Sequence, residues 1–88
     1  MILKTNKVYY HKRLNVVIVF KAISTYDFVW NELDLNSGKI WFEYSGNRSV
    51  MRDSFEEMEL IENLKLFKVL TVDNKYIDTL DKFLAEKK

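Results

Sequence analysis

Between Val16 and Phe20 five apolar residues follow one another without a polar interruption, and the β-branched composition extends to Ile23. Stiff, branched side chains suit a pleated surface, and an unbroken apolar run predicts a strand covered on both faces. This segment is therefore expected to be a central strand. Around it the pattern predicts further strands. Val8-Tyr9-Tyr10 is a short aromatic strand, followed by a turn at Lys12–Asn15 in which Asn15 suits a positive φ. Ser24–Asp27 is a polar break, and Phe28–Leu35 is the next strand. Asn36-Ser37-Gly38 is the strongest turn signal, because glycine takes up the left-handed conformation that a tight hairpin needs. Lys39–Tyr44 follows, with Ile40, Phe42 and Tyr44 predicted on one face and Trp41 and Glu43 on the other. Ser45-Gly46-Asn47 reads as a second tight turn and Arg48–Arg52 as a short fifth strand.

The period then changes. Ser54-x-x-Glu57 matches a capping box, which predicts a short helix starting near Phe55. Residues 61–72 fit either a helix or a strand. A strand is preferred because Val69-Leu70-Thr71-Val72 has strand chemistry. The final helix is clearer: Tyr76, Ile77, Leu80, Phe83 and Leu84 form one apolar stripe, with Asp73 or Asn74 as its cap. The expected class is α+β, one domain over residues 1–88. It comprises an antiparallel sheet of about five strands, or a small SH3-like partly open barrel, with a short middle helix and a C-terminal amphipathic helix.

Composition limits the chemistry. The 88 residues include no cysteine and a single histidine, His11, so disulfides, thiolate metal sites and multi-histidine zinc sites are excluded. No cofactor is expected. His11 is expected at the surface or in a turn, and with one histidine at a strand end and no cysteine no catalytic triad can be argued. Gly38 and Gly46 stand alone, so no glycine-rich phosphate loop exists. Enzymatic activity is not expected. No apolar run approaches the ~20 residues that cross a bilayer, and residues 1–7 lack a signal-like apolar stretch. A cytoplasmic protein is expected, with no membrane partner.

Charge is divided unevenly. Residues 1–52 carry eight Lys/Arg and four acids, a net of +4. Residues 53–88 carry six Lys and nine acids, a net of −3, and the two sum to the overall +1. Two candidate surfaces follow. Asp53, Glu56, Glu57, Glu59 and Glu62 form an acidic run without an intervening cation, a surface able to mimic phosphates and engage a basic protein partner. Alternatively, Tyr9, Tyr10 and Trp41 interleave with Lys7, Lys12, Arg13, Lys39 and Arg48, a basic aromatic face suited to stacking single-stranded nucleic acid. Such a patch requires the Lys12–Asn15 turn to meet the Lys39 and Arg48 strand ends. The two halves of the chain could also simply neutralise each other.

The run Lys7-Val8-Tyr9-Tyr10-His11-Lys12, the apolar strand after it, Asp34-Leu35-Asn36-Ser37-Gly38-Lys39, Arg48-Ser49-Val50 and Phe55-x-x-Met58-x-Leu60 together resemble the small SH3-like barrel accessory proteins of tailed bacteriophages. The resemblance covers residues 7–61 and transfers no site residues. It implies a phage-encoded protein, acting in the host cytoplasm as an inhibitor of a host defence or nucleic-acid enzyme. The expected function is that of a non-enzymatic interaction protein occluding the surface of a host protein. RNA or single-stranded DNA binding is the alternative. A homodimer, through an edge strand or the C-terminal helix, stays open.

Overall fold

The computed structural model describes residues 2–48, 54–70 and 74–86. Five strands form one antiparallel sheet: β1 (Val8–His11), β2 (Val16–Ile23), β3 (Asp27–Asp34), β4 (Ile40–Asn47) and β5 (Met58–Leu60), in the order β4-β3-β2-β1-β5. Successive hairpins build β1 to β4. The chain then crosses over so that β5 adds to the free edge of β1, pairing Tyr9 with Leu60 and His11 with Met58. The sheet is not closed, and its arrangement is compatible with a small partly open barrel. Two helices follow, α1 (Leu64–Leu70) and α2 (Ile77–Glu86), the second preceded by a 3-10 turn at Asn74–Tyr76.

β2 is the middle strand, as its continuous apolar run predicts. Alternate side chains point to opposite faces. Val17 and Val19 therefore join Tyr10, Leu33 and Leu35 beneath Phe67 of α1 and Leu80 and Phe83 of α2. Val16, Ile18 and Phe20 join Tyr9, Phe28, Trp30 and Met58 on the other face, covered by Phe55. Phe55 packs nearly perpendicular to Phe20, Phe28 and Trp30, at centroid distances of 5.2, 4.8 and 5.1 Å. This edge-to-face geometry favours aromatic pairs. The predicted C-terminal stripe is the docking face of α2, and an ion pair between Lys68 and Asp81 ties α1 to α2.

Both predicted backbone specials in the early turns are present: Asn15 has φ 55° and Gly38 φ 76°. Elsewhere the expectations need correction. Ser45, Gly46 and Asn47 do not turn; they extend β4, with Gly46 opposite Phe28 and Asn47 opposite Asp27. The fifth strand is Met58–Leu60, whereas the strand expected at Arg48–Arg52 falls, beyond Arg48, outside the described residues. Residues 54–56 are helical, but the helix ends at Glu57, whose N–H reaches the Ser54 carbonyl at 3.3 Å. The short helix expected near Phe55 is thus present, and pairing with β1 takes over at Met58. Residues 64–70 are helical, not extended. Asn63 starts this helix: its Oδ1 accepts from Leu66 N–H and its carbonyl from Phe67 N–H, both at 3.1 Å. Of the expected caps, Asp73 lies outside the described residues and Asn74 begins the 3-10 turn.

The alternation predicted for β4 also fails. Two residues of β4, Phe42 and Glu43, face the single residue Asn31 of β3 between the pairs Trp30–Tyr44 and Glu32–Trp41. This is a β-bulge, and Glu43 takes a φ of 53° within it. Buried Asn31 holds the bulge by accepting the Glu43 N–H on Oδ1 at 3.1 Å. Directly paired residues share a face. Ile40, opposite Leu33, thus lies on the helix-covered face, while Trp41 and Tyr44 both lie on the other.

Candidate functional site

Two turns meet at one end of the sheet. Asn15 Nδ2 donates to Asn36 Oδ1 at 3.1 Å, and Leu35 N–H donates to the Asn15 carbonyl at 3.0 Å. Lys12, Arg13 and Lys39 belong to this end. Arg48 belongs to the opposite one, where its N–H donates to the Tyr26 carbonyl at 2.6 Å and its guanidinium to the Ser24 carbonyl at 3.0 Å. Lys7, preceding β1, is at that end too. An eight-residue strand separates the two ends by roughly 25 Å. The basic residues therefore do not meet in the patch that the sequence suggests. Arg13 is moreover paired with Glu57 at 2.9 Å, and the Arg48 guanidinium lies 5.2 Å from the Phe28 ring centroid.

Tyr9 and Tyr10 are buried on opposite faces of the sheet, so neither presents a ring for base stacking. Tyr9 receives the Lys4 N–H on its hydroxyl at 2.8 Å, and Tyr10 donates to Asn15 Oδ1 at 2.8 Å. Burial, and secondarily the Glu59 carboxylate across the ladder, raise the Tyr10 phenol above its ordinary value. His11 is only 1% exposed rather than at the surface. Its Nδ1 accepts from Leu14 N–H at 3.2 Å, so it braces the turn. Its Nε2 lies 3.2 Å from Glu57 Oε2 but out of hydrogen-bond alignment.

The acidic run divides as well. Asp53 lies outside the described residues. Glu56 is exposed on the helical turn before β5, and Glu57, also exposed, pairs with Arg13 and lies beside His11. Glu59 and Glu62 come together at a shallow cleft of about 250 Å³ between β5 and α1, lined also by Leu60, Ile61, Asn63, Leu66 and Phe67. Leu60 and Leu66 are exposed, Leu66 at 52%, and Val69, one helical step beyond Leu66, at 80%. The sequence reading missed these apolar residues. A signal was present: Leu64-Lys65-Leu66-Phe67-Lys68-Val69-Leu70 holds more apolar residues than one helix face can bury.

No helix among the described residues is long and apolar enough to cross a membrane, and no three His, Cys, Asp or Glu side chains among them are grouped to hold a metal. Comparison with protein-family models, with curated proteins and with solved structures finds no match for the chain.

Proposed function

We propose that the chain is a non-enzymatic interaction domain that occludes a basic surface of a partner protein, docking through the cleft between β5 and α1. The observation that carries this reading is the company of Glu59 and Glu62 with Leu60 and Leu66: apolar side chains left in water beside an acidic rim. Exposed apolar groups supply area to bury on association. The carboxylates select for cations and steer the approach of a positively charged surface. A nucleic-acid enzyme, which must itself attract phosphates, presents such a surface. This is the class of host protein that the phage-protein resemblance suggests.

The test compares capture of partners from a bacterial lysate by the native chain, by Leu66→Ser and by the pair Glu59→Lys and Glu62→Lys. Both exchanges are at exposed positions, so the fold should survive them. Loss of the same captured protein in both variants is expected, and unchanged capture refutes the cleft. Binding of a mixed-sequence single strand at low salt, weakening steeply as salt rises, would instead replace the reading with nucleic-acid binding.

A further inference from the structure

On the sheet face opposite α1 and α2, the β4 bulge gathers Trp30, Glu32, Trp41 and Tyr44. The two pairs Trp30–Tyr44 and Glu32–Trp41 are cross-strand neighbours on this face. Such pairs have Cβ atoms about 5 Å apart. Trp30 and Tyr44 lie with ring centroids 5.2 Å apart, tilted by 45°, and Tyr44 remains 49% exposed. Glu32 is half-buried. It accepts from Trp30 Nε1 at 3.2 Å, and among the described residues no cation pairs with it. A carboxylate taken partly out of water without an ion pair is a cost the fold bears. Burial raises the Glu32 carboxyl above its ordinary value; the Trp30 hydrogen bond opposes this, Asp34 adds to it and His11 opposes it. Perturbed carboxylates of this kind concentrate at binding sites. The neighbouring ring already holds a cation: Lys39 Nζ lies 4.8 Å from the Trp41 centroid.

We propose that Glu32, Trp41 and Tyr44 form a notch that takes the guanidinium of an arginine side chain from a protein partner. A guanidinium is planar, so it can lie on an indole while its N–H groups reach a carboxylate at the ring's edge. Glu32 would exchange its unpaired state for a charge-assisted hydrogen bond. Lys39 is the internal competitor, covering part of the Trp41 ring. The bulge is what makes the notch: with regular alternation Trp41 and Tyr44 would lie on opposite faces. Asn31, which holds the Glu43 N–H, is therefore a positioning residue. The notch and the β5–α1 cleft lie on different parts of the molecule, and neither proposal rests on the other.

The experiment titrates the protein with Nα-acetylarginine amide and, in parallel, with Nα-acetylcitrulline amide, which has the same shape with a neutral urea in place of the guanidinium. The two tryptophan indole N–H resonances are followed. The arginine derivative should give saturable shifts at Trp30 and Trp41, and the citrulline derivative should not. Glu32→Gln keeps an acceptor for Trp30 Nε1 and should weaken the arginine response about five-fold, the sum of a half-exposed ion pair and its charge-assisted bond. Lys39→Met should strengthen it. Equal shifts from both amides, or an unchanged response in Glu32→Gln, would overturn the proposal.

Discussion

Replacing Gly38 by alanine tests how the β3–β4 turn is joined to the C-terminal segment. Gly38 has φ 76°, a left-handed conformation in which a Cβ costs about 1–2 kcal/mol. A Cβ there would also stand 2.7 Å from Tyr76 Cε1 and 3.0 Å from Cδ1, inside van der Waals contact. The ring is not free to withdraw. It packs against the helix-covered core, and its hydroxyl donates to the Asn36 carbonyl at 3.1 Å. Moving it forfeits that bond, worth about 1 kcal/mol. The expected loss is therefore about 2–3 kcal/mol, a substantial share of the 5–15 kcal/mol typical of a domain. Urea denaturation followed by tryptophan emission measures it. A second pair of measurements isolates the contact: in a Tyr76→Ala background the Gly38→Ala penalty should fall to the backbone strain alone. Equal penalties in both backgrounds would refute the close approach of the turn and Tyr76, leaving only the φ argument standing.

Other substitutions address the remaining junctions. Asn63→Ala removes the acceptor for Leu66 N–H and should cost about 1 kcal/mol in the same denaturation experiment. Phe55→Ala deletes the ring that covers Phe20, Phe28 and Trp30 and should cost about 3–5 kcal/mol; a loss under 1 kcal/mol would show that this face does not depend on it. Asn31→Ala leaves the part-buried Glu43 N–H without its partner and should cost about 1 kcal/mol, with altered shifts at both indoles as the bulge relaxes. For Glu32, the folded-state carboxyl lies above its ordinary 4.5, so the folded chain binds its proton more tightly than the unfolded one. That contribution to stability is complete below the ordinary value and lost as pH rises through the raised one. Glu32→Gln should therefore gain on the native chain as pH rises from acid to neutral. A difference independent of pH would refute the assignment.

The strands β1 to β3, the middle position of β2, the turn at Gly38 and the apolar stripe of α2 were all legible in the chain, because local chemistry dictates each. Branched apolar runs require a strand with two covered faces, a left-handed turn requires glycine or asparagine, and a 3.6-residue stripe requires a surface to lie on. What local chemistry leaves undecided went to tertiary contacts. Residues 58–60 are a strand because β1 has an edge to pair with, and residues 64–70 are a helix because Asn63 caps them and Phe67 meets Tyr10 at a centroid distance of 5.1 Å. Of the candidate sites, the sequence supplied Glu59, Glu62 and Trp41 by residue type. It could not show that Tyr9, Tyr10 and His11 are buried, nor that the basic residues lie at opposite ends of the sheet, since burial and position depend on which segments pair. The bulge at Phe42 and Glu43 shows the limit most clearly. Alternation along β4 assigns Trp41 and Tyr44 to opposite faces, and it is a hydrogen bond to another strand, from the Glu43 N–H to the Asn31 side chain of β3, that holds the bulge placing them on the same one.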